Sequence, residues 1–284
     1  MYIKAPAKIN LSLDVTGKRE DGYHLVSMIM MSVDLYDEVE VKLRADDEIH
    51  VKTDLDGLSD GPDNLAHKAA ALMKEHAGAK AHGADISIKK HIPMAAGLAG
   101  GSTDAAAVMI ALNELYNLGF SKEKLMDLSV KLGADCPFCI LQGTALSEGI
   151  GEVLTPLKGF PPCIIAACKP PYGVSTKDAY EMVDSDESIN HPNTRGMADD
   201  INSGDLKSAV KKMGNVLQKP AVSMHPDIND YIDCFLKEGA LNSMMSGSGP
   251  TVYGIFDDME KAKKALDSIK ETYPGIWTGI IKGE

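Results

Sequence analysis

Residues 93–104 read Pro93-Met94-Ala95-Ala96-Gly97-Leu98-Ala99-Gly100-Gly101-Ser102-Thr103-Asp104. Glycines at 97, 100 and 101 let the backbone approach a ligand closely and turn its N–H groups inward. Ser102 to Asp104 then open an Ala-rich helix that runs to Tyr116, and the helix start adds unsatisfied donors and the positive dipole end. An anion, above all a phosphate, is the expected guest. The segment lacks the Gly-Lys-Ser/Thr ending of the P-loop and the Gly-x-Gly-x-x-Gly spacing of dinucleotide folds. Taken alone, it also suits a glycine turn leading into a self-capped helix.

Upstream, Asp85–Lys89 alternates as a strand should, so the local order is strand, glycine loop, helix. Further strands are expected at 9–15, 25–33, 38–43 and 48–52, suggesting one antiparallel sheet, with a helix over 64–76. A second helix, 122–132, stops at Gly133, and the proline- and glycine-bearing stretch 156–162 reads as a domain connection. Beyond it the pattern gives a strand at 163–168, helices near 175–182, 205–213 and 226–236, then strand, helix and strand. This mixed order is α+β, with domains expected at 1–157 and 158–284.

The 284 residues exceed the usual single-domain size. Lys plus Arg number 29 against 41 Asp plus Glu, a net charge of −12 that repels a nucleic-acid backbone. The amino terminus lacks the basic start and apolar core of a secretory signal, and no apolar run is long enough to span a bilayer. Five cysteines, an odd number, suit a reducing compartment. The expectation is a cytoplasmic protein, a monomer or weak homodimer, without nucleic-acid or membrane partners. Cys136-Pro137-Phe138-Cys139 has redox-like spacing, but no second pair or His cluster accompanies it and Cys139 lies in an apolar, strand-like run, so ordinary packing is expected.

Three segments in order, Pro6-Ala7-Lys8-Ile9-Asn10-Leu11, the loop 93–107, and Ser246-Gly247-Ser248-Gly249-Pro250-Thr251, make the chain resemble the GHMP kinases. That family includes galactokinase, homoserine kinase, mevalonate kinase and phosphomevalonate kinase. Asp21-Gly22-Tyr23-His24, Leu132-Gly133-Ala134-Asp135-Cys136-Pro137 and Ser147-Glu148-Gly149-Ile150-Gly151-Glu152 make it most similar to the branch acting on the cytidine diphosphate ester of methylerythritol in non-mevalonate isoprenoid synthesis. The resemblance implies a two-domain fold. Its N-terminal domain is ribosomal-protein-S5-domain-2-like, its C-terminal domain is ferredoxin-like α/β, and the active site lies in the cleft between them. One departure is Ala99, where many relatives carry glycine; a positive φ there would strain an alanine.

The resemblance also implies roles, with ATP as co-substrate and Mg²⁺ bridging its phosphates, the protein ligands of the metal being illegible. Asp135 would act as base toward the acceptor hydroxyl, with Lys8 beside it. Pro93, Ala95, Ala96, Gly97, Leu98, Ala99, Gly100, Gly101, Ser102 and Thr103 would hold the phosphates, and Asn64 and Lys90 would lie near the nucleotide. Tyr23 and His24 would recognise cytosine, assisted by Asn10 and Tyr180, and Ser246, Gly247, Ser248 and Gly249 would contact substrate phosphate. Each residue type has an ordinary alternative: Asp135 as a turn acid, Lys8 and Lys90 as solvated strand residues, Asn64 as a helix cap, His24 as structural, and 246–251 as a hairpin turn. Another kinase of the family, acting on homoserine, mevalonate or a sugar, and a non-catalytic nucleotide-binding regulator remain the competing readings; Lys8 and Asp135 together argue against the regulator.

Overall fold

Two long strands open the chain, β1 (Tyr2–Lys18) and β2 (His24–Leu43). The two strand pieces expected at 25–33 and 38–43 are one strand, because Asp34-Leu35-Tyr36-Asp37 contains neither glycine nor proline to interrupt extended backbone. The computed structural model describes residues 1–55, 57–78, 81–186 and 188–283. The chain divides into two units: Met1–Ala7, Leu35–Ile92 and Ala99–Gln142 in the first; Lys8–Asp34, Pro93–Leu98 and Gly143–Glu284 in the second. Both β1 and β2 therefore run from one unit into the other, and the glycine loop crosses between Leu98 and Ala99.

The first unit adds β3 (Ile49–Thr53), α1 (Leu65–Ala77), β4 (Ala84–Lys89), α2 (Gly100–Leu115), α3 (Lys122–Ser129) and α4 (Cys136–Leu141). Strand alternation sets its register: Val39 faces Ile88 and Val41 faces Ile86 across the antiparallel β2–β4 pair, so the apolar members of both strands share the buried face. β3 pairs with β4 in parallel, because α1 supplies the crossover that a parallel connection needs. The expected antiparallel sheet is therefore mixed. Helix α1 buries Ala66, Ala69, Ala70, Met73 and Ala77, and α2 buries Ala105, Ala106, Ala107 and Ala111, small residues that let the two helices pack closely into the core over this sheet. Cys139 lies on α4 rather than in a strand, since Pro137 in the first turn favours a helix start.

The second unit adds β5 (Thr144–Glu148), β6 (Val153–Pro156), β7 (Ile164–Lys169), α5 (Thr176–Asp184), α6 (Thr194–Ser203), α7 (Leu206–Lys211), β8 (Gly214–Asn215), α8 (Gln218–Met224), α9 (Asp227–Lys237), β9 (Asn242–Met245), β10 (Val252–Phe256), α10 (Met259–Thr272) and β11 (Trp277–Ile281). An antiparallel sheet runs β11-β7-β10-β9. Helix α9 buries Ile228, Tyr231, Ile232 and Phe235, the i, i+3, i+4, i+7 stripe of a helix lying on a sheet, and α10 packs beside it. In the same unit β5 pairs with the first half of β2 and with β6, and β8 pairs in parallel with β1 at Ser12 and Leu13.

Candidate active site

Strand periodicity places Lys8, Asn10, Ser12 and Asp14 on one face of β1, and all four are buried. A buried polar row needs partners, and the second unit supplies them. Lys8 Nζ donates to Asn10 Oδ1 (2.7 Å), Asn10 Nδ2 donates to Met28 Sδ (3.2 Å), Ser12 and Thr194 share a 2.7 Å hydroxyl pair, and His191 Nδ1 lies 2.7 Å from Asp14 Oδ1. The Lys8 ammonium is thus held inside the protein on a rigid strand rather than waving in solvent.

Beside it, two glycine-bearing loops of the second unit interlock. The Lys8 N–H donates to Leu98 O (3.1 Å), Ser246 Oγ donates to Gly97 O (3.1 Å), and the Asn10 N–H donates to Ser246 Oγ (3.2 Å). Gly97 has φ +73°, and a Cβ there would overlap the Ser246 carbonyl and meet Gly249 N at 3.1 Å. Gly247 has φ +57° and would drive a Cβ to 3.1 Å from Gly97 O. Glycine is required at both for close approach. The turn between β9 and β10 is tied further by Asn215 Nδ2 donating to Met245 O and Gly247 O, and by Ser248 Oγ 2.8 Å from Thr176 Oγ1. The segment 246–251 is accordingly both a hairpin turn and the partner of the phosphate-type loop.

In the first unit the loop ends at Ala99, which has φ 59° and ψ 29° and caps α2 without any side-chain hydrogen bond. A helix start carries N–H groups without an intrahelical partner, here those of Gly100, Gly101 and Ser102, the arrangement an anion needs. The alanine sits in the left-handed region that glycine prefers, as does Ala95 with φ 47°. Asp135 immediately precedes α4, and α4 packs against α2. This packing sets the Asp135 turn beside the helix that the glycine loop opens. Burial, with added repulsion from Asp135 and opposed by Ser102, pushes the Cys136 thiol up to about 12, so it is a packed, unreactive cysteine.

Asn64 is the N-cap of α1: its Oδ1 accepts from the Ala66 N–H (2.8 Å) and its Nδ2 donates to Ser59 O (2.7 Å). Lys90 is buried and contacts Asp37 and, at 2.6 Å, Asp104. Burial pushes Asp104 up to about 7, with Lys90 opposing and Asp37 adding to the shift. Neither aspartate was anticipated. The signal for Asp37 lies in β2, where position 37 shares the inward face with Val39 and Val41, so a carboxylate there must be paired.

A separate aromatic group gathers in the second unit. His24, at the start of β2, stacks on Tyr180 of α5 (centroids 4.5 Å apart, 26° between planes), and its Nε2 lies 2.7 Å from Asp184 Oδ1. Lys18 Nζ holds the other carboxylate oxygen at 2.5 Å. Lys18, and after it His24, keep the Asp184 carboxyl below the usual range against its partial burial. A carboxylate accepts only, so His24 Nε2 carries a proton and its Nδ1 faces elsewhere. Tyr23 is 60% exposed on the adjoining turn. Asp184 was missed, although its position four residues after Tyr180 on a helix puts both on one face.

Among the described residues no cluster of three or more His, Cys, Asp and Glu could hold a metal, and no helix is long and apolar enough to cross a membrane.

The chain matches the profile of the GHMP kinases N terminal domain over residues 64–143 and that of the GHMP kinases C terminal region over 197–275. It is 47% identical to a 4-diphosphocytidyl-2-C-methyl-D-erythritol kinase of Clostridium botulinum (strain Eklund 17B / Type B), covering 98% of each protein. It is 45% identical to the protein of the same name from Clostridium perfringens (strain 13 / Type A), covering 96% of this chain and 94% of the relative. A crystal structure of 4-(cytidine 5'-diphospho)-2C-methyl-D-erythritol kinase superposes over the whole of both chains with a TM-score of 0.81 at 31% identity. A homoserine kinase from Cytophaga hutchinsonii superposes with the same TM-score at 20% identity, which shows the shared fold alone. A family of phosphoryl-transfer enzymes that uses ATP as co-substrate accounts for the uncapped helix start, the interlocked glycine loops and the buried lysine together, and the chain belongs to it: the GHMP kinases, in their 4-diphosphocytidyl-2-C-methyl-D-erythritol kinase branch.

Proposed function

We propose that the chain transfers the γ-phosphoryl group of ATP to the 2-hydroxyl of 4-diphosphocytidyl-2-C-methyl-D-erythritol, giving ADP and the 2-phosphate, in non-mevalonate isoprenoid precursor synthesis. The observation that carries this reading is the packing of α4 on α2, which sets the Asp135 turn beside the helix opened by the loop suited to the phosphates. The backbone of 97–102 cradles the polyphosphate. Asp135 accepts the proton of the acceptor hydroxyl as its oxygen bonds to the γ-phosphorus and the bond to the bridging oxygen of ADP breaks. Lys8, desolvated on β1, steadies the hydroxyl and offsets charge on the transferring group.

Mg²⁺ takes mostly phosphate and water oxygens. The Thr103 hydroxyl at the loop end, buried without a partner, is a protein oxygen that would fit it. Bound there, the ion offsets charge spreading over the phosphoryl oxygens. The cytosine goes to Tyr23, His24 and Tyr180, assisted by Asn10, with residues 246–249 toward the substrate phosphates and Asn64 toward the adenine. Functional domains at 1–157 and 158–284 are supported by the two family matches falling on either side of that boundary. A net charge of −12 supports action on small molecules rather than nucleic acid, as a monomer or weak homodimer, and the free cysteines support a reducing compartment, the cytoplasm.

The test is a coupled ADP-release assay with ATP, Mg²⁺ and a panel of alcohols including the cytidine ester, homoserine and mevalonate. Turnover is expected with the cytidine ester, and Asp135→Asn should lower it by at least ~100-fold, the scale of a lost general base, while ATP binding is kept. Wild-type-like turnover by that variant would overturn the role given to Asp135, and turnover restricted to another alcohol would overturn the substrate.

A further inference from the structure

Lys90, Asp37 and Asp104 come from three separate stretches of the first unit, and their side chains are no more than 5% exposed. Asp37 closes the inward-facing row of β2, Lys90 follows the last residue of β4, and Asp104 sits in the second turn of α2. One ammonium joins both carboxylates. Asp37 Oδ1 also accepts the N–H groups of His91 (2.6 Å) and Ile92 (2.8 Å), the last residues before the loop, while Asp54 Oδ1 accepts the N–H of Lys90 (2.8 Å). The charged neighbours thus number Asp37 and Glu38 on β2, Asp54 beyond β3, and Asp104 on α2, with His91 turned outward to Glu38. The chain entering the glycine loop and the helix leaving it are therefore fastened to the same sheet strand through one buried cation. A Cβ added at Gly100, the first residue of α2, would lie 3.5 Å from Lys90 Nζ and 3.3 Å from Ile92, so the anchor sits directly beneath the first turn of the helix.

We propose that Lys90, held between Asp37 and Asp104, is a positioning residue that fixes the start of α2 relative to the strand entering the loop, and that it acts on the nucleotide through the loop's shape rather than by touching it. This gives Lys90 a different duty from the direct nucleotide contact suggested by the sequence, and it rests on the reading that the loop binds ATP. A buried three-charge group suits such a duty. Its geometry is demanding, since one ammonium must reach two carboxylates at once. An ordinary stabilising contact in this place would be apolar.

The experiment compares Lys90→Met, Asp104→Leu and the double variant in ATP affinity by calorimetry, in kcat and KM for ATP, and in Tm. Each single variant should bind ATP ~10-fold more weakly, with kcat at saturating ATP within ~3-fold of the unaltered chain, since the reacting groups are elsewhere. The double variant replaces the Lys90–Asp104 pair by a Met–Leu contact, leaves Asp37 held by the N–H groups of His91 and Ile92, and should recover ATP affinity to within ~3-fold. If Lys90 touched the nucleotide, the double variant would bind no better than Lys90→Met. If Asp104 acted on ATP only as a charge, Asp104→Leu would bind the polyanion as tightly or more tightly. Either result overturns the proposal. Should the single variants fail to fold, recovery by the double variant supports it and a loss beyond ~10-fold overturns it. Absence of ATP binding by the unaltered chain overturns the nucleotide reading itself, and this inference with it.

Discussion

Replacing Gly97 by alanine should uncouple the two glycine loops. The backbone there has φ +73°, where an alanine costs about 1–2 kcal/mol. The new Cβ would also overlap the Ser246 carbonyl and crowd Gly249 N and O at 3.1 and 3.2 Å. These are backbone atoms, so one loop must move, at about 1–3 kcal/mol. A stiffer unfolded chain returns about 0.4–1 kcal/mol. The net loss is on the order of 3 kcal/mol, a fall in Tm of roughly 5–10 °C in a protein of this size. The same movement breaks the Ser246–Gly97 hydrogen bond and displaces the N–H groups meant for phosphate, so KM for ATP should rise ~10-fold or more. Differential scanning fluorimetry and steady-state kinetics measure both. Gly101→Ala is the control: φ is ordinary and the Cβ meets nothing closer than Leu65 Cδ1 at 3.5 Å, so Tm should hold. Gly97→Ala with unchanged Tm and unchanged KM for ATP would refute the interlocked-loop account.

Ala99→Gly should raise stability slightly, by up to about 1 kcal/mol, because release of left-handed strain outweighs the added chain entropy; Tm measures it, and a clear fall would mean the alanine is not strained. Asp104 holds a raised pKa of about 7 in the folded chain against about 4 unfolded. The folded state therefore binds more protons between pH 4 and 7, and the group's contribution is full below pH 4 and lost as pH rises through 7. Asp104→Asn should flatten that slope, seen as a Tm advantage over the unaltered chain that grows from pH 5 to pH 8. Asp184→Asn removes the carboxylate orienting His24 and should raise KM for the cytidine substrate about 3–10-fold while leaving KM for ATP alone, since Asp184 belongs to the aromatic group and not to the glycine loop.

Much of the site was legible because its chemistry is written locally. Glycines 97, 100 and 101 followed by an alanine-rich run admit little besides a loop and a closely packed helix, and α2 begins at Gly100. The doubt raised over Ala99 proved structural, since its φ is 59°. What depends on distant partners was not legible. Nothing near Lys90 in the chain announces Asp37, 53 residues away, whose carboxylate helps make a buried anchor of the lysine that the sequence placed near the nucleotide. Nor does anything near β4 reveal that β3 lies parallel to it, a result of the α1 crossover. Helix α6 escaped notice because its start depends on Asn193 accepting from the Gly196 N–H, and its buried residues, Thr194, Met197, Ala198 and Ile201, are too few to make a strong period. Short α4 was disguised by its apolar composition, which a strand shares.

Phosphorus NMR of a reaction holding only the purified chain, ATP, Mg²⁺ and 4-diphosphocytidyl-2-C-methyl-D-erythritol tests the central claim most directly. One new phosphomonoester resonance, growing in step with ADP while the diphosphate signals of the cytidine ester persist, is the expected outcome. ADP appearing with inorganic phosphate in place of that monoester, or no consumption of ATP at all, would contradict it.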